Sequence, residues 1–597
     1  MSDYNAPIRD MQFVLKELAG LDEVAALPGC EEASEDLVDA ILEEAGKFAN
    51  GVLAPLNWSG DQAGARWNDG EVSTAPGWKE AYSQFTEAGW TALANDPEYG
   101  GQGLPNLVNT AVIEMWKSAN MAFSLCPMLT NGAIAALALC GSDALKANYL
   151  EKMVSGEWTG TMNLTEPQAG SDLAAVRSRA EPQADGSYKV FGQKIFITYG
   201  EHDMTDNIVH LVLARLPDAP EGVKGISLFV VPKFVLDANG APGERNDVHC
   251  VSIEHKLGIH ASPTCVLAFG DKGGATGYLV GEANRGLEYM FVMMNEARFA
   301  VGMEGLALAE RAYQQALGYA KERVQGTELG VRGGPKVSII HHPDVRRMLM
   351  WMKSHTEAMR ALAYVVAAAN DKAHRHPDES VRASQQAFVD LLIPVVKGWC
   401  TENAIDVAST GVQVHGGMGF IEETGAAQHL RDARITTIYE GTTAIQANDL
   451  IGRKIAREGG VTVRALIGEM RETAGALAAG DDNLKVIAKG LGEGVSAVEA
   501  AVTYLVDTFG KDIKAAHVGA VPFLKLMGIV TGGWQMARAA QKAAAHLAAG
   551  EGDADFYRAK LVTARFYADH VLAQAAGLSK VVVNGASGAL DLSEDQF

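Results

Sequence analysis

The chain has 597 residues, too many for one hydrophobic core, and its length predicts about three or four domains. Its 48% apolar and 21% charged residues are ordinary for a soluble globular enzyme. The formal net charge of −22 disfavours a broad surface for nucleic acid or anionic membrane, although local arginines or lysines could still bind an anionic ligand.

The N-terminal residues and the cysteines favour a cytoplasmic protein. No basic region followed by an apolar core opens the sequence, so we expect no signal or transit peptide. The six cysteines form no C-x-x-C pair, which indicates reduced and mostly buried thiols. No apolar stretch is expected to span a bilayer, because the best candidate, residues 523–537, is short and is interrupted by Lys525 and two glycines.

Hydrophobic periodicity divides the chain into four segments. Helical spacing predicts an N-terminal helical domain over residues 1–158 and a helical bundle over 284–460. An Ala-rich extension predicts an additional helical domain over 461–597. Between the first two lies a β domain over 159–283, whose short alternating runs predict strands at 188–197, 207–214, 226–231 and 264–269. The fold class is therefore a multidomain α+β architecture.

This order of elements excludes a doubly wound nucleotide-binding fold. The chain also lacks G-x-G-x-x-G after a strand, a P-loop, H-E-x-x-H and a G-x-S-x-G elbow. We therefore expect neither those chemistries nor a metal site.

Two segments of the β region offer groups for a flat polar ligand. Residues 162–172, MNLTEPQAGSD, supply threonine and serine hydroxyls beside glycine amides. Residues 194–198, KIFIT, add an aromatic ring and another hydroxyl. An aromatic face beside small donors suits a heteroaromatic cofactor. Taken singly, the two segments are more often a turn and a core strand.

A glycine-rich stretch and two arginines add possible anion-binding groups. The stretch His415 to Phe420, HGGMGF, permits close backbone approach to a phosphate or tight helix packing. Arg298 and Arg323 lie in predicted helices and could pair with phosphates, although a solvated or acid-paired arginine is the commoner outcome.

The most informative run is RITTIYEGTTAIQ, residues 434–446. A short β-like apolar run precedes the lone carboxylate of Glu440, and Gly441 follows it directly. Thr442 can cap a helix that continues through Ile455. We expect a sharp bend that projects the carboxylate into a cavity, where an ionised base could abstract a weakly acidic C–H. Read locally, a solvated glutamate beside a helix start is the alternative.

Together these segments resemble the acyl-CoA dehydrogenase family. The similar signatures, in the family's order, are LTEPQAGSD at 164–172, KIFITYG at 194–200, HGGMGF at 415–420 and RITTIYEGTTAIQ at 434–446. The resemblance covers about residues 36 to 458. It implies an N-terminal helical domain, a middle β-barrel domain and a helical bundle. The additional helical bundle is similar to that of longer bacterial members.

The resemblance implies non-covalently bound FAD as the cofactor. The positions that match contacts to the flavin and its surroundings are Met162, Leu164, Thr165, Gly170, Ser171, Phe196 and Thr198. Arg323 matches a pyrophosphate contact across a subunit interface, and Thr442 matches a further FAD contact. The positions that match subunit-interface contacts to the adenosine half are Gln413, Gly416 and Gly417.

The family oxidises the Cα–Cβ bond of an acyl-CoA thioester, and Glu440 matches the base that removes the α-proton. Some members carry the base in the helix of Arg298, where it would fall at Ala297. Glu440 is therefore the better candidate, and Glu296 is a rival only if the alignment is one residue out. The positions that match substrate contacts are Ser171, Asn295, Arg298, Tyr439 and Gly441.

The acyl pocket is expected to draw on residues 121–128 and Tyr439. Met121, Phe123 and Met128 would suit a short or sulfur-containing chain, because thioethers are polarizable and pack against aromatic rings. An ordinary helix core is at least as good an interpretation of these three side chains.

The resemblance to long bacterial members favours 3-methylthiopropionyl-CoA, from dimethylsulfoniopropionate breakdown, as the substrate. A short- or medium-chain fatty acyl-CoA is the alternative. We expect a cytoplasmic homodimer that passes electrons to an electron-transferring flavoprotein and binds neither membrane nor nucleic acid. An acyl-CoA oxidase is a further alternative. A DNA-binding flavoprotein on the same scaffold is disfavoured, because Glu440 is retained and no basic terminal domain is present.

Overall fold

A computed structural model describes residues 4–597 and divides into two compact units. The helical unit combines the chain up to Gly46 with Pro105–Ser118 and Val301–Phe597. The α/β unit combines Lys47–Leu104 with Ala119–Ala300. Each unit is thus assembled from separate stretches of chain, and the predicted N-terminal segment 1–158 supplies residues to both.

Twenty α-helices occur among the described residues. They are α1 Ile8–Phe13, α2 Leu21–Ala25, α3 Glu35–Phe48, α4 Ala54–Ala63, α5 Trp78–Glu87, α6 Asn106–Ala119, α7 Met121–Cys140, α8 Asp143–Val154, α9 Gly286–Glu322, α10 Pro343–Arg375, α11 Glu379–His415, α12 Ala426–Ala433, α13 Thr443–Asp449, α14 Val461–Leu477, α15 Asp482–Phe509, α16 Ile513–Val518, α17 Ala520–Ala549, α18 Ala554–His570, α19 Ala575–Asn584 and α20 Ala586–Leu590.

Fourteen strands occur in the same part of the chain. They are β1 Arg66–Asn68, β2 Glu71–Ser73, β3 Trp158–Asn163, β4 Arg179–Pro182, β5 Tyr188–Thr198, β6 Asn207–Arg215, β7 Ile226–Pro232, β8 Phe234–Leu236, β9 Pro242–Arg245, β10 Val248–Ile253, β11 Thr264–Phe269, β12 Ala275–Val280, β13 Val324–Thr327 and β14 Lys336–Ser338. The four strands expected from the sequence are confirmed as β5, β6, β7 and β11.

The α/β unit is built on an eight-stranded sheet with the order β10-β11-β5-β12-β7-β6-β3, in which β4 also pairs with β5 and β6. Most neighbours are antiparallel, and β3 runs parallel to β6. Strands β6 and β7 are buried on both faces, which explains why they appear in the sequence as continuous apolar runs. The β architecture expected for the middle of the chain is confirmed.

Buried polar side chains on β3, on β6 and in the loop before β6 are hydrogen-bonded. His210 on β6 shares a 2.7 Å bond with the Thr161 hydroxyl on β3, and His202 shares a 2.8 Å bond with the hydroxyl of Thr159. Burial lowers the pKa of both imidazoles to about 3, so both rings are neutral at physiological pH.

Helix α7 corrects one expectation. It has 20 residues and, by length and composition alone, is apolar enough to cross a membrane, whereas no such stretch was expected from the sequence. Its most apolar window is 67% buried inside the structure, and the core helix of a soluble protein passes the same test. The finding is therefore weak evidence for a membrane span.

In the helical unit, the C-terminal extension packs directly on α11. A Cβ added at Gly528 of α17 would lie 2.1 Å from Cγ of Trp399, so the missing side chain lets the indole of α11 lie against α17. Trp399 is buried, and Tyr567 of α18 donates to the Ile529 carbonyl over 3.0 Å. The additional helices and the bundle before them thus share one core.

All six cysteines are free, and only Cys140 is not fully buried, which confirms the expectation of mostly buried thiols. Within residues 4–597, no group of three or more His, Cys, Asp or Glu side chains is arranged to hold a metal ion.

Candidate active site

The segment before Glu440 is helical, which corrects the expectation of a β-like run. Residues Arg434–Thr437 form a 3-10 helix that continues directly from α12. The hydroxyl of Thr436 donates to the Ala433 carbonyl over 2.7 Å. Such a side-chain bond to the preceding turn lets β-branched residues occupy a helix, so their strand preference is overridden here.

Glu440 and Gly441 form a tight left-handed turn. Their φ angles are +53° and +87°, and Glu440 is one of the few non-glycine residues with positive φ. A left-handed backbone at a side chain as long as glutamate is strained and persists only when its surroundings hold it. The sharp bend expected from the sequence is confirmed, and the Glu440 side chain is half-buried.

Two buried side chains hold the carbonyl groups of this turn. The Lys397 ammonium on α11 donates to the Gly441 carbonyl over 2.6 Å. The Gln446 amide on α13 donates to the carbonyls of Glu440 at 3.2 Å and Gly441 at 3.4 Å. Lys397 and Gln446 are both completely buried. Neither role was predicted from the sequence. Lys397 belongs to no recognisable motif and lies on a helix distant in the chain, whereas Gln446 ends the RITTIYEGTTAIQ run but was assigned no role there.

Thr442 caps α13 as expected. Its side-chain oxygen accepts a 3.3 Å bond from the Ile445 amide, and its backbone is extended. A π-helical stretch, Leu450–Ile455, continues the helix as far as was expected. The hydroxyl hydrogen of Thr442 can still be donated to a ligand, so the cap is compatible with the predicted FAD contact.

In the α/β unit, the two polar segments found in the sequence are brought together. The Ile195 amide on β5 donates to the Thr165 carbonyl over 2.9 Å. The Lys194 ammonium donates to the Leu164 carbonyl at 3.1 Å and to the Glu166 carboxylate at 2.8 Å. Thr165 and the chain from Phe196 to Thr198 are therefore held beside one another, as the sequence analysis expected.

The Lys194–Glu166 ion pair that joins the two segments is almost fully buried. Burial opposes ionisation of Glu166, but Lys194 and the hydroxyl of Ser178 together bring the pKa of Glu166 down to about 2. Burial lowers the pKa of Lys194 to about 8, against the opposing effect of Glu166. Both groups are therefore charged at neutral pH.

Phe196 has the geometry of a ligand contact. Its φ is +61° and its side chain is 59% exposed, although its strand neighbour Ile197 is buried. Thr198 is half-buried and lies opposite Thr264 in the sheet. A strained backbone that presents an aromatic ring to the outside is unexpected in a strand core and is typical of a binding surface.

The remaining α/β-unit candidates lie around the same segments. Met162 is half-buried on β3, and Leu164 is buried just after it. Gly170 and Ser171 are exposed in the loop that follows, and a Cβ at Gly170 would meet nothing within 4 Å. This loop therefore leaves open backbone of the kind expected near a ligand.

In the helical unit, the candidates for the pyrophosphate and adenosine half are exposed. Arg323 lies just after α9, Gln413 is near the end of α11, and a 3-10 helix, Gly416–Phe420, follows it. A Cβ at Gly416 or Gly417 would meet nothing within 4 Å. Gln413 also borders a depression of about 360 Å³, whose other lining residues are Arg347, Met348, Trp351, Ser409 and Thr410. Sequence reasoning did not find these five.

On α9, the residues considered for the base and for substrate contacts differ in their exposure to solvent. Asn295 and Glu296 are exposed, whereas Ala297 and Arg298 are buried. The position at which some relatives carry their base is thus filled by a buried methyl group, and the rival carboxylate of Glu296 faces outward. Glu440, half-buried on its strained turn, remains the better candidate.

Two of the three acyl-pocket candidates are core residues of α7. Met121 and Phe123 are each 1% exposed. The Phe123 ring packs on Trp78, Tyr82 and Phe85, with centroids 5.8 to 6.4 Å apart. The helix-core interpretation therefore fits these two side chains, whereas Met128 is only partly buried.

Models of the acyl-CoA dehydrogenase family match most of the chain. The N-terminal domain matches residues 36–157, the middle domain 161–271 and the C-terminal domain 284–455. Residues 466–593 match the model described as acetyl-CoA dehydrogenase C-terminal like.

Full-length relatives support the same assignment. The chain is 52% identical to a 3-methylmercaptopropionyl-CoA dehydrogenase of Ruegeria pomeroyi, over 96% of both chains. It is 37% identical, over the whole of both chains, to a broad-specificity linear acyl-CoA dehydrogenase of Mycobacterium tuberculosis. The structure matches that of a Bacillus anthracis acyl-CoA dehydrogenase complexed with FAD, at a TM-score of 0.75 and 20% identity over 94% of this chain and 90% of that one. The chain therefore belongs to the acyl-CoA dehydrogenase family, whose members are FAD-dependent oxidoreductases acting on acyl-CoA thioesters.

Proposed function

We propose that the protein converts 3-methylthiopropionyl-CoA to the corresponding 2-enoyl-CoA, with Glu440 as the base. The near full-length similarity to the Ruegeria pomeroyi enzyme supports this substrate. The observation that carries the proposal within the structure is the strained turn at Glu440, which Lys397 and Gln446 hold from the side of the main-chain carbonyls.

The chemistry assigned to Glu440 is removal of the α-proton. Its carboxylate accepts that proton as the Cα–H bond breaks, and negative charge develops on the thioester carbonyl. A backbone N–H at the turn is suited to stabilise this charge, as the family pattern implies. When bound, FAD supplies the acceptor for the hydride that leaves Cβ. The fixed turn means that little reorganisation is needed during the reaction.

The residues present fit FAD in each unit by itself. In the α/β unit, the exposed Phe196 ring and the hydroxyls of Thr165 and Thr198 suit an isoalloxazine. In the helical unit, the exposed Arg323 and the open backbone at Gly416 and Gly417 suit a pyrophosphate and a nucleoside.

The proposal extends to the assembly and its electron acceptor. We propose a cytoplasmic homodimer that delivers electrons to an electron-transferring flavoprotein. The side chains of Met418 and Phe420 are exposed and apolar, and both lie within the 3-10 helix Gly416–Phe420. They support a subunit contact there. Sedimentation of the FAD-loaded protein should give a mass of twice 63.3 kDa. A monomer would remove this part of the proposal.

A matched pair of substrates tests the thioether preference. Pentanoyl-CoA differs from 3-methylthiopropionyl-CoA by a methylene in place of the sulfur, so their kcat/KM values isolate the contribution of that atom. We expect the thioether to be preferred by several-fold, because the contact of a sulfur atom with an aromatic ring stabilises binding by about 0.3–1.5 kcal/mol. Hexadecanoyl-CoA should react poorly.

Either of two results would contradict the proposal and favour a different activity. Equal kcat/KM for the matched pair, with good turnover of butyryl- and octanoyl-CoA, would favour the alternative of a short- or medium-chain fatty acyl-CoA dehydrogenase. Stoichiometric hydrogen peroxide in the absence of an electron acceptor would indicate an acyl-CoA oxidase instead.

A further inference from the structure

Tyr439, directly before Glu440, belongs to a buried hydrogen-bond network that was not predicted from the sequence. The Tyr439 hydroxyl donates to Oε2 of Glu304 over 2.5 Å, and the Lys117 ammonium donates to Oε1 of the same carboxylate over 3.1 Å. Glu304 is 0% and Lys117 1% exposed. The network thus ties the segment that carries Glu440 to α6 and α9 within the helical unit.

The charges of this network are balanced. A carboxylate placed so deep is costly unless it is paired and hydrogen-bonded, and here each oxygen of Glu304 accepts a bond. Burial lowers the pKa of Lys117, and Glu304 opposes that effect. Burial raises the pKa of the Tyr439 phenol well above 10, and the carboxylates of Glu304 and Glu440 raise it further. The hydroxyl is therefore a permanent donor and cannot serve as a base.

We propose that Glu304, charge-balanced by Lys117, is a positioning residue that anchors Tyr439 and thereby holds the adjoining Glu440 in its left-handed conformation. The inference deepens the proposed function and rests on the role assigned there to Glu440. A tyrosine ring has only two side-chain torsions, so fixing its hydroxyl also fixes its backbone. Lys397 and Gln446 hold the carbonyls of Glu440 and Gly441. The anchored Tyr439 restrains the backbone on the N-terminal side of Glu440.

Tyr439→Phe removes the anchoring hydroxyl and nothing else. Tyr364→Phe is the matched control, because the buried Tyr364 hydroxyl donates to the buried Glu114 carboxylate over 2.6 Å in the same unit. Both enzymes should retain FAD and fold. In anaerobic stopped-flow reduction with saturating 3-methylthiopropionyl-CoA, Tyr439→Phe should react about tenfold more slowly, as expected for a displaced catalytic group. KM should change little, and Tyr364→Phe should react like wild type.

Two double variants separate positioning from folding. Glu304→Gln with Lys117→Met removes both charges but keeps an amide oxygen that can accept from Tyr439. Glu304→Leu with Lys117→Met removes the acceptor as well. We expect similar melting temperatures, with the leucine double variant reduced several-fold more slowly than the glutamine one. Adding Tyr439→Phe should abolish that difference, since the hydroxyl is then missing from both.

Reduction of Tyr439→Phe at the wild-type rate, or equal rates for the two double variants, would overturn the inference. So would an equal loss in Tyr439→Phe and Tyr364→Phe, which would show a general effect of losing a buried hydroxyl. These results would leave the proposed function intact as long as Glu440→Gln is inactive. Normal turnover by Glu440→Gln would instead remove the proposed function.

Discussion

The ammonium of Lys397, completely buried on α11, donates to the carbonyl of Gly441 over 2.6 Å. This contact joins a long core helix to the turn that presents Glu440. The residues that follow Lys397 on α11, Gly398 and Trp399, pack against α17 of the C-terminal extension. The same stretch of helix therefore supports the turn and contacts the additional domain.

Lys397→Met should lower turnover without releasing FAD. The thioether chain fills much of the same space, but the Gly441 carbonyl loses its 2.6 Å hydrogen bond and keeps only the 3.4 Å one from Gln446, a loss of about 0.5–1.5 kcal/mol. The turn should then sample conformations that misplace Glu440, and kcat should fall about tenfold or more. Steady-state kinetics and the 450 nm flavin absorbance check this.

Thr401→Val is the control for damage to α11. The Thr401 hydroxyl lies one turn further along and bonds back to the carbonyls of Lys397 and Gly398. Its loss should leave kcat within about twofold, since side-chain bonds back to the helix add little. An equal fall in both variants would mean that Lys397 acts only through helix stability.

Gly441→Ala should be far more damaging than an ordinary glycine replacement in a helix. At φ +87° a Cβ is strained by about 1–2 kcal/mol, and it would lie 2.7 Å from Nε2 of Gln446. We expect displacement of Gln446 and loss of most activity. Gly468→Ala, in α14, meets nothing within 4 Å and should raise stability by about 0.5–1 kcal/mol. Full activity in Gly441→Ala would contradict the account of the turn.

Part of this turn could be predicted from the sequence and part could not. The Gly–Thr pair after Glu440 predicted both the bend and the cap on Thr442, because these are local backbone preferences. The 3-10 helix before Glu440 was misread, since Ile435 and Thr436 favour strands unless the preceding helix continues into them. The roles of Lys397 and Glu304 could not be predicted, because they depend on helices that meet only in the folded chain.

Strand positions were predicted well for a related reason. Alternation and continuous apolar runs reflect burial on one or both faces of a sheet, so β5, β6, β7 and β11 were recognisable. In contrast, the role of Phe123 could not be decided from α7 alone. An apolar residue on a helix looks the same whether it packs on Trp78 and Phe85 or lines a pocket.

Breaking the charge cluster at Arg360 should destabilise the helical unit severely. The buried guanidinium donates to three carboxylates, those of Asp10 at 2.5 Å, Glu114 at 2.6 Å and Glu310 at 2.6 Å. Arg360→Met leaves these acids without their shared cation and should cost about 3–5 kcal/mol in urea unfolding. Arg471→Met, which breaks a half-exposed pair with Glu499, should cost about 0–1 kcal/mol. Equal losses would contradict this prediction.

Acid should destabilise the α/β unit partly through two histidines. The pKa of His202 and His210 in the folded protein, about 3, lies below the usual 6.5. The contribution of the two neutral rings to the free energy of unfolding is therefore fully present above pH 6.5. It is lost progressively as pH falls from 6.5 toward 3, at about 1.4 kcal/mol per pH unit for each proton. Replacing His210 with Gln should flatten this dependence in unfolding experiments at pH 7 and pH 5. An unchanged slope would show that His210 does not contribute.

The most direct test of the central claim is the rate of flavin reduction in Glu440→Gln. FAD-loaded wild type, Glu440→Gln and Glu296→Gln would be mixed anaerobically with 3-methylthiopropionyl-CoA while the 450 nm absorbance is followed. We predict that Glu440→Gln binds FAD normally but bleaches about 10²–10⁴-fold more slowly, as expected for loss of a general base, while Glu296→Gln behaves like wild type. Bleaching of Glu440→Gln at a near-normal rate, or a collapse confined to Glu296→Gln, would contradict the account.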